Sequence, residues 1–310
     1  MGLNTSNQTE EAGSFHNITE AAACPENVIK LDLHLKKLKN FPEEVFQFVN
    51  LKELILTNNQ ISHIPPQIAN LAKLEKLEIS GNNISALPEE LTKLKNLKTL
   101  VVSWNEIEEI PDFIGKMTNL EWLGLNHNDI SKISPEIGKL ENLADLVLSD
   151  NDLEELPDEI CNLKKLTELR ISNNLLAKLP DNIGNLHKLE KFEANENNLE
   201  ELPESIGKLV NLQKMRLYKN LLETMPESIG NLHKLEKLLI YENNLVNLPE
   251  SIGNLTALEE LDLSNNELTE IPQAIEKLKN LGNLDLSKNK FTFEEIDDIA
   301  KLIPNTRVVF

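Results

Sequence analysis

The chain has 310 residues, a formal net charge of −20 at pH 7 and 40% hydrophobic residues. This apolar content is enough for a folded core and excludes disorder as a description of the whole chain. The negative charge disfavours nucleic acids and anionic membrane surfaces as partners, because both would be repelled. A basic or neutral protein partner fits the charge better, although acidic residues also serve simply to keep a long surface soluble.

The N-terminal segment divides into a polar tail and a short cap. We expect residues 1–14 to be disordered, since they combine polar side chains with no apolar run. Asn17 followed by Glu20 is typical of a helix start, and the segment from Ile18 to Cys24 ends before Pro25. Residues 15–27 are therefore predicted to form an N-terminal cap.

From residue 28 onward the sequence repeats every 23 residues, without insertion or deletion. One unit, residues 74–96, reads LEKLEISGNNISALPEELTKLKN. Leu77 and Ile79 are two apart, so they point to the same side of a short strand. No unit can bury its apolar residues alone, so the units must stack. The twelve units begin at Val28, Leu51, Leu74, Leu97, Leu120, Leu143, Leu166, Leu189, Leu212, Leu235, Leu258 and Leu281.

Two further positions of the unit are polar or conformationally restricted. Asn82 recurs in the later units as far as Asn289, where its amide can bond backbone groups that the bend after the strand leaves unpaired. Pro88 recurs in most units and fixes the backbone on the return path. In the unit that begins at Leu120, Ser134 replaces the proline, which is displaced to Pro135.

The C-terminal segment predicts a second cap. Thr292 and Glu295 have the spacing of a capping box, and a helix with apolar residues on one face follows. The final residues, RVVF, predict a strand that covers the edge of the sheet. The repeats are thus assigned to residues 28–291 and the C-terminal cap to residues 292–310.

The pattern LxxLxLxxNxLxxLPxxIxxLxx, present over residues 28–303, resembles the leucine-rich repeat family. It is most similar to the 23-residue type found in intracellular Ras-pathway and Scribble-like scaffolds, in plant intracellular Ras-group proteins and in bacterial proteins such as those of Leptospira. The resemblance implies an α/β right-handed solenoid, shaped like a horseshoe, with one parallel β-sheet on its concave face. It also implies short 3-10 or irregular turns on the convex face, helical caps, and binding of partners on the concave sheet.

The sequence contains no pattern that predicts catalysis, a cofactor or a resident metal. The six histidines do not have metal-ligand spacing, and neither cysteine has a neighbour that would make a dyad. Asp262 and Asp285 lie in adjacent repeats, where a calcium site is conceivable, but an acidic solvated surface is the favoured interpretation. We therefore expect a protein that is not an enzyme.

Cys24 and Cys161 lie about six repeats apart, over roughly 20 Å at about 4.8 Å per strand, which is too far for a disulfide. Free thiols suit a reducing cytoplasm, and the N-terminus has neither the basic nor the apolar region of a secretory signal. We expect a cytoplasmic protein of bacterial type. The alternative is secretion without a recognisable signal.

The outward strand positions carry the predicted binding residues. The chain contains two tryptophans and two tyrosines, and all four, Trp104, Trp122, Tyr218 and Tyr241, map to this face. Exposed aromatic side chains on a sheet are typical anchors of interfaces. The anchored partner is another protein or, in a weak homodimer, a second copy of the chain.

These residues form two groups. The tryptophan cluster has its two indoles on opposite flanks of the strands, roughly 16 Å apart along the strand direction, with a gap at Gly124. The nearby irregularity at Ser134 is a further sign of a site. This cluster comprises Val101, Trp104, Trp122, Gly124, Asn126, His127 and Val147. The tyrosine cluster comprises Arg170, Arg216, Tyr218, Lys219, Leu239 and Tyr241, beside a column of Lys191, Lys214 and Lys237 whose expected partners are Glu190 and Glu236.

The sequence therefore predicts a protein-binding adaptor that acts through its concave face. Two alternatives stay open: a secreted bacterial factor that engages a host surface, and an inhibitor or regulatory subunit that covers the active site of an enzyme. The partner's identity is not encoded in the repeat pattern, because this kind of fold carries many unrelated ligands.

Overall fold

The computed structural model describes residues 12–310. Its central feature is one parallel sheet of 14 strands, stacked in chain order except for two short strands that pair separately. The strands are β1 (Ser14–Phe15), β2 (Lys30–Asp32), β3 (Glu53–Ile55), β4 (Lys76–Glu78), β5 (Thr99–Val101), β6 (Glu109–Ile110), β7 (Trp122–Gly124), β8 (Lys132–Ile133), β9 (Asp145–Val147), β10 (Glu168–Arg170), β11 (Lys191–Glu193), β12 (Lys214–Arg216), β13 (Lys237–Leu239), β14 (Glu260–Asp262), β15 (Asn283–Asp285) and β16 (Arg307–Val309). The sheet does not close into a barrel, and the predicted leucine-rich repeat solenoid is confirmed.

The 23-residue period sets the register of the sheet. Leu100 of β5 is opposite Leu123 of β7, which is opposite Leu146 of β9. Each of these central strand residues is fully buried, while the residues on either side of it face outward. The alternation predicted for Leu77 and Ile79 is likewise confirmed, since both are fully buried.

Short 3-10 helices form the opposite side of the solenoid. Most follow a proline, whose fixed φ directs the chain into the turn, and all except Pro25–Asn27 bury an apolar residue against the core. These helices are Pro25–Asn27, Glu43–Gln47, Pro66–Asn70, Glu89–Lys93, Asp112–Lys116, Pro135–Lys139, Asp158–Asn162, Ile183–Asn185, Glu204–Lys208, Glu227–Asn231, Glu250–Asn254 and Gln273–Lys277. The core is therefore one continuous stack of leucine and isoleucine side chains between the sheet and these turns.

The recurring asparagine joins each repeat to its neighbours. The Asn243 amide donates to the carbonyl oxygens of Ile240, 3.0 Å away in its own repeat, and Leu217, 3.0 Å away in the preceding one. Its Oδ1 accepts from the backbone N–H of Leu222 at 3.1 Å. The same three contacts recur along the stack. We call this column the asparagine ladder.

The two ends are capped as regular elements. Asn17 accepts a hydrogen bond from the backbone N–H of Thr19 and starts α1 (Ile18–Ala22), which is shorter than the predicted segment. Thr292 and Glu295 form the predicted capping box at the start of α2 (Phe293–Leu302), and β16 pairs with β15 at the edge of the sheet. The boundary drawn at residue 14 falls inside β1, so Ser14 belongs to the sheet rather than to a disordered tail. The rest of the predicted tail, residues 1–11, lies outside the described residues.

The irregularity at Ser134 has a structural explanation. Its backbone N–H, which a proline lacks, donates to Ile110 O at 3.0 Å beside the pairing of β6 with β8. Its Oγ donates to Asp112 at 2.6 Å and accepts from the N–H of Glu136. Ser134 therefore supports the backbone on the path away from the sheet, and its interpretation as a sign of the binding site stays a prediction.

Within the described residues, no helix has both the length and the apolar character needed to cross a membrane.

Cys24 and Cys161 are both free. Burial raises the pKa of Cys161 to about 11, so this thiol stays protonated at neutral pH.

We expect Leu146→Ala to lower the free energy of unfolding by about 2–5 kcal/mol, because it opens a cavity in the continuous core. Ser149→Ala, after the same strand but facing outward, should change it by less than about 0.5 kcal/mol. Chemical denaturation measures both. Equal losses in the two variants would show that the inward and outward assignments are wrong.

The asparagine ladder gives a second prediction with an adjacent control. Asn243→Ala leaves the backbone N–H of Leu222 without a partner. It also removes one of the two amide donors to the carbonyl oxygens of Leu217 and Ile240, so it should cost about 1–3 kcal/mol of unfolding free energy. Asn244, the next residue, is exposed, so Asn244→Ala should cost less than about 0.5 kcal/mol. If thermal and denaturant unfolding give similar stabilities for the two variants, the ladder is not a main source of stability.

Candidate binding surface on the sheet

The outward side chains stand in columns along the stack, each column repeating every 23 residues. The first strand position carries Trp122, Asp145 and Glu168 in adjacent strands, and the third carries Val101 and Gly124. The position two residues after the strand holds Asn126 and Tyr218. The next residue adopts a left-handed conformation in each repeat, with Trp104 among these residues. The predicted binding residues thus occupy four different columns.

Trp122 leans across its own strand toward Gly124. A Cβ added to Gly124 would lie 3.4 Å from the indole Nε1 of Trp122 and 3.1 Å from a methyl carbon of Val101. The gap predicted at Gly124 is therefore occupied by the indole edge rather than open to a ligand. Trp122 still keeps 42% of its surface exposed, and Val147 in the next strand is buried.

Trp104 lies in the bend that follows β5, in the left-handed region at φ 56°. A side chain with a Cβ pays about 1–2 kcal/mol to adopt this conformation, and most repeats place smaller or polar residues there. The scaffold enforces it, because the N–H of Trp104 donates to Asn126 O at 2.9 Å and the N–H of Asn105 donates to His127 O. The indole is 60% exposed, so the core gains nothing from it.

A row of stacked and hydrogen-bonded side chains extends from Trp104 along the bend. The imidazole of His127 stacks on the indole with ring centroids 3.6 Å apart. The Nε2 of His127 lies 3.2 Å from Asp150, whose other carboxylate oxygen accepts from Asn173 at 2.6 Å. Trp104 is thus held from one side and open on the other.

Polar groups line the floor between the two indoles. The Ser103 hydroxyl donates to Asn126 Oδ1 at 2.6 Å, which fixes both side chains. The tryptophan cluster therefore combines two partly exposed indoles with hydrogen-bonding groups between them. Interfaces commonly use this combination to bury a side chain and orient a backbone.

The tyrosine cluster is packed more tightly onto itself. Tyr218 and Tyr241 stack in parallel with centroids 4.5 Å apart, as the shared column predicted. Burial and the adjacent Tyr218 raise the pKa of Tyr241 to about 12. Tyr241 is therefore a neutral phenol at physiological pH, and Leu239 precedes it at the end of β13.

Glutamates neutralise most of the cations around the tyrosine cluster. Glu193 contacts both Arg170 and Arg216, and Glu168 contacts both Arg170 and Lys191. The ion pairs Lys219–Glu196 and Lys237–Glu260 follow, at 3.3 and 2.6 Å. The carboxylates are thus not the expected Glu190 and Glu236. Within residues 12–310, Lys214 alone among the predicted cations has no ion pair.

Sequence reasoning missed one acidic residue at the tryptophan cluster. Asp145 lies beside Trp122 in the register of the sheet and beside Glu168 on its other side. Burial and the neighbouring Glu168 raise the pKa of Asp145 above its ordinary value. The shared first strand position was the available signal, because it placed an aspartate and a glutamate in adjacent strands next to an indole.

The acidic pair near the C-terminal end is engaged within the protein. Asp262 and Asp285 each accept hydrogen bonds from the serine two residues later, Ser264 and Ser287. Over residues 12–310, no group of three or more histidine, cysteine or carboxylate residues is arranged to hold a metal ion.

The fold and its surface define a solenoid of stacked 23-residue repeats with an exposed parallel sheet. A family model for leucine-rich repeat regions matches residues 27–124, 114–198 and 192–302. The chain therefore belongs to the leucine-rich repeat family, as the repeat pattern predicted. No curated protein matches the sequence.

Solved structures of other leucine-rich repeat proteins are similar to this chain. A leucine-rich repeat protein of Leptospira interrogans is 28% identical with a TM-score of 0.62, over 96% of this chain and 99% of that one. The plant peptide hormone receptor RGFR1, solved with RGF2, is 33% identical with a TM-score of 0.77, over 88% of this chain. This chain spans only 45% of that receptor chain. An internalin of Listeria monocytogenes, at 24% identity and a TM-score of 0.82 over 93% of this chain and 82% of that one, shares the fold.

The position of Trp122 gives a test that does not need a partner. Gly124→Ala should displace the indole, because the new methyl group would meet Val101 and the indole edge at close range. We expect a changed indole N–H NMR signal for Trp122, with stability altered by less than about 1 kcal/mol. The Trp104 signal should stay in place. An unmoved Trp122 signal would mean that the indole does not lie over Gly124.

Proposed function

We propose that this protein is a non-enzymatic binding module whose partner, another protein, contacts the concave sheet at the tryptophan cluster. The observation that carries this proposal is the exposure of both tryptophans, 60% for Trp104 and 42% for Trp122, on a face where the core needs neither. Replacing a tryptophan at an interface with alanine frequently causes a large loss of binding affinity.

The tryptophan cluster is favoured over the tyrosine cluster on energetic grounds. The cations of the tyrosine cluster are already paired with Glu168, Glu193, Glu196 and Glu260. A partner that used them would have to replace those contacts. The indoles of Trp104 and Trp122 offer apolar surface without breaking an ion pair, so burying them is the less costly way to bind.

The similar proteins support a protein or peptide as the partner. RGFR1 is similar over most of this chain and was solved in complex with RGF2. The net charge of −20 favours a neutral or basic partner over nucleic acid or an anionic membrane. We further propose a monomer or weak homodimer in the cytoplasm. Size measurement in solution and cell fractionation, respectively, test these two points.

We expect Trp104→Ala and Trp122→Ala each to weaken partner binding by about 2 kcal/mol or more. The melting temperature should stay near that of the wild type, because neither ring lies in the core. The partner is first captured from the native organism with the wild type, and its affinity is then measured by calorimetry.

Val210→Ala is the matched control, since Val210 is an exposed apolar residue outside the sheet, and its affinity should not change. Unchanged affinity in both tryptophan variants would mean that the binding site lies elsewhere on the protein. Lost affinity together with a collapsed melting temperature would mean that the tryptophans are structural.

A further inference from the structure

Trp122 and Asp145 are neighbours at the first position of adjacent strands, β7 and β9, and both face outward. Adjacent strands lie about 4.8 Å apart. The indole edge lies over Gly124, which leaves much of Trp122 exposed beside the carboxylate. A flat aromatic surface and a carboxylate are thus accessible to a single side chain of a partner.

The cations near Asp145 form ion pairs with other carboxylates and not with Asp145. Arg170 and Lys191, whose charges act on Asp145, are in ion pairs with Glu168, and Arg170 also contacts Glu193. Within residues 12–310, no lysine, arginine or histidine forms an ion pair with Asp145. Its closest charged neighbour in the column is another carboxylate, Glu168, which raises the free energy of a second negative charge there.

We propose that Trp122 and Asp145 form a subsite for an arginine side chain of the protein partner. This inference rests on the proposed function and specifies the chemistry of the partner. A guanidinium group is planar, so it stacks on an indole and donates two hydrogen bonds to a carboxylate at the same time. Its positive charge also offsets the repulsion between Asp145 and Glu168.

The second indole does not offer the same environment. Trp104 is stacked against His127, and the carboxylate of Asp150 is already bonded to His127 and Asn173. An arginine at that point would compete with these contacts. The cation is therefore assigned to Trp122, while Trp104 provides apolar contact and serves as an internal control.

The test uses N-acetyl-argininamide as the probe and the full chain as the receptor, with the two indole N–H NMR signals as the readout. We expect a saturable shift of the Trp122 signal with a dissociation constant in the millimolar range and a much smaller shift of the Trp104 signal. N-acetyl-citrullinamide has the same shape without the charge and should cause no saturable shift.

Variants of Asp145 separate charge from shape. Asp145→Asn should weaken binding of the arginine probe by about fivefold or more, while Asp145→Glu should stay within a few-fold of the wild type. Asp181→Asn removes one exposed charge away from the sheet and should leave binding unchanged. Equal shifts with citrulline, or full binding by Asp145→Asn, would overturn the arginine subsite.

The subsite and the proposed function fail separately. If the tryptophan variants lose the protein partner while the arginine probe does not bind, the concave-face function stands and the subsite is wrong. If Asp145→Asn weakens both the probe and the protein partner, the subsite is supported. If the partner binds Trp104→Ala and Trp122→Ala normally, the proposed function is wrong, and the partner does not use the arginine subsite.

Discussion

The asparagine ladder is the constraint on which the rest of the structure depends. Each repeat contributes a strand of only three residues to the main sheet, so the chain must bend sharply after it and leave backbone groups unpaired. Asn105 bonds Val102 within its repeat and both Ile79 and Ile84 in the preceding one. Buried backbone groups without partners are costly, so one side chain per repeat holds the bend and fixes the spacing of the stack.

The ladder also determines what the surface can present. Because the bend is fixed, the residue before each asparagine must adopt a left-handed conformation whatever its type, including Trp104, His127 and Lys219. Stability is therefore supplied by the ladder and the leucine stack, and the outward columns are free to vary. This division explains how a sequence with so regular a core carries two indoles in adjacent repeats without using either to fold.

The sequence predicted the fold well because the fold follows from a period. A strict 23-residue spacing assigns Leu100 and Val102 inward and Val101 outward, and the structure confirms each. The repeat spacing could not predict side-chain conformations that depend on contacts between repeats. The lean of Trp122 over Gly124, the stacking of His127 on Trp104 and the choice of Glu168 over Glu190 depend on competing contacts of similar energy, which no spacing encodes.

Site-specific photo-crosslinking tests most directly whether the concave sheet at the tryptophan cluster is the binding surface. A photoreactive side chain is placed either at Ser149, which faces outward beside Asn126, or at Lys208, which is exposed in a 3-10 turn on the opposite side. Each protein is irradiated with the purified partner. The account predicts a covalent complex from position 149 and none from position 208. Crosslinking from position 208 alone would contradict it.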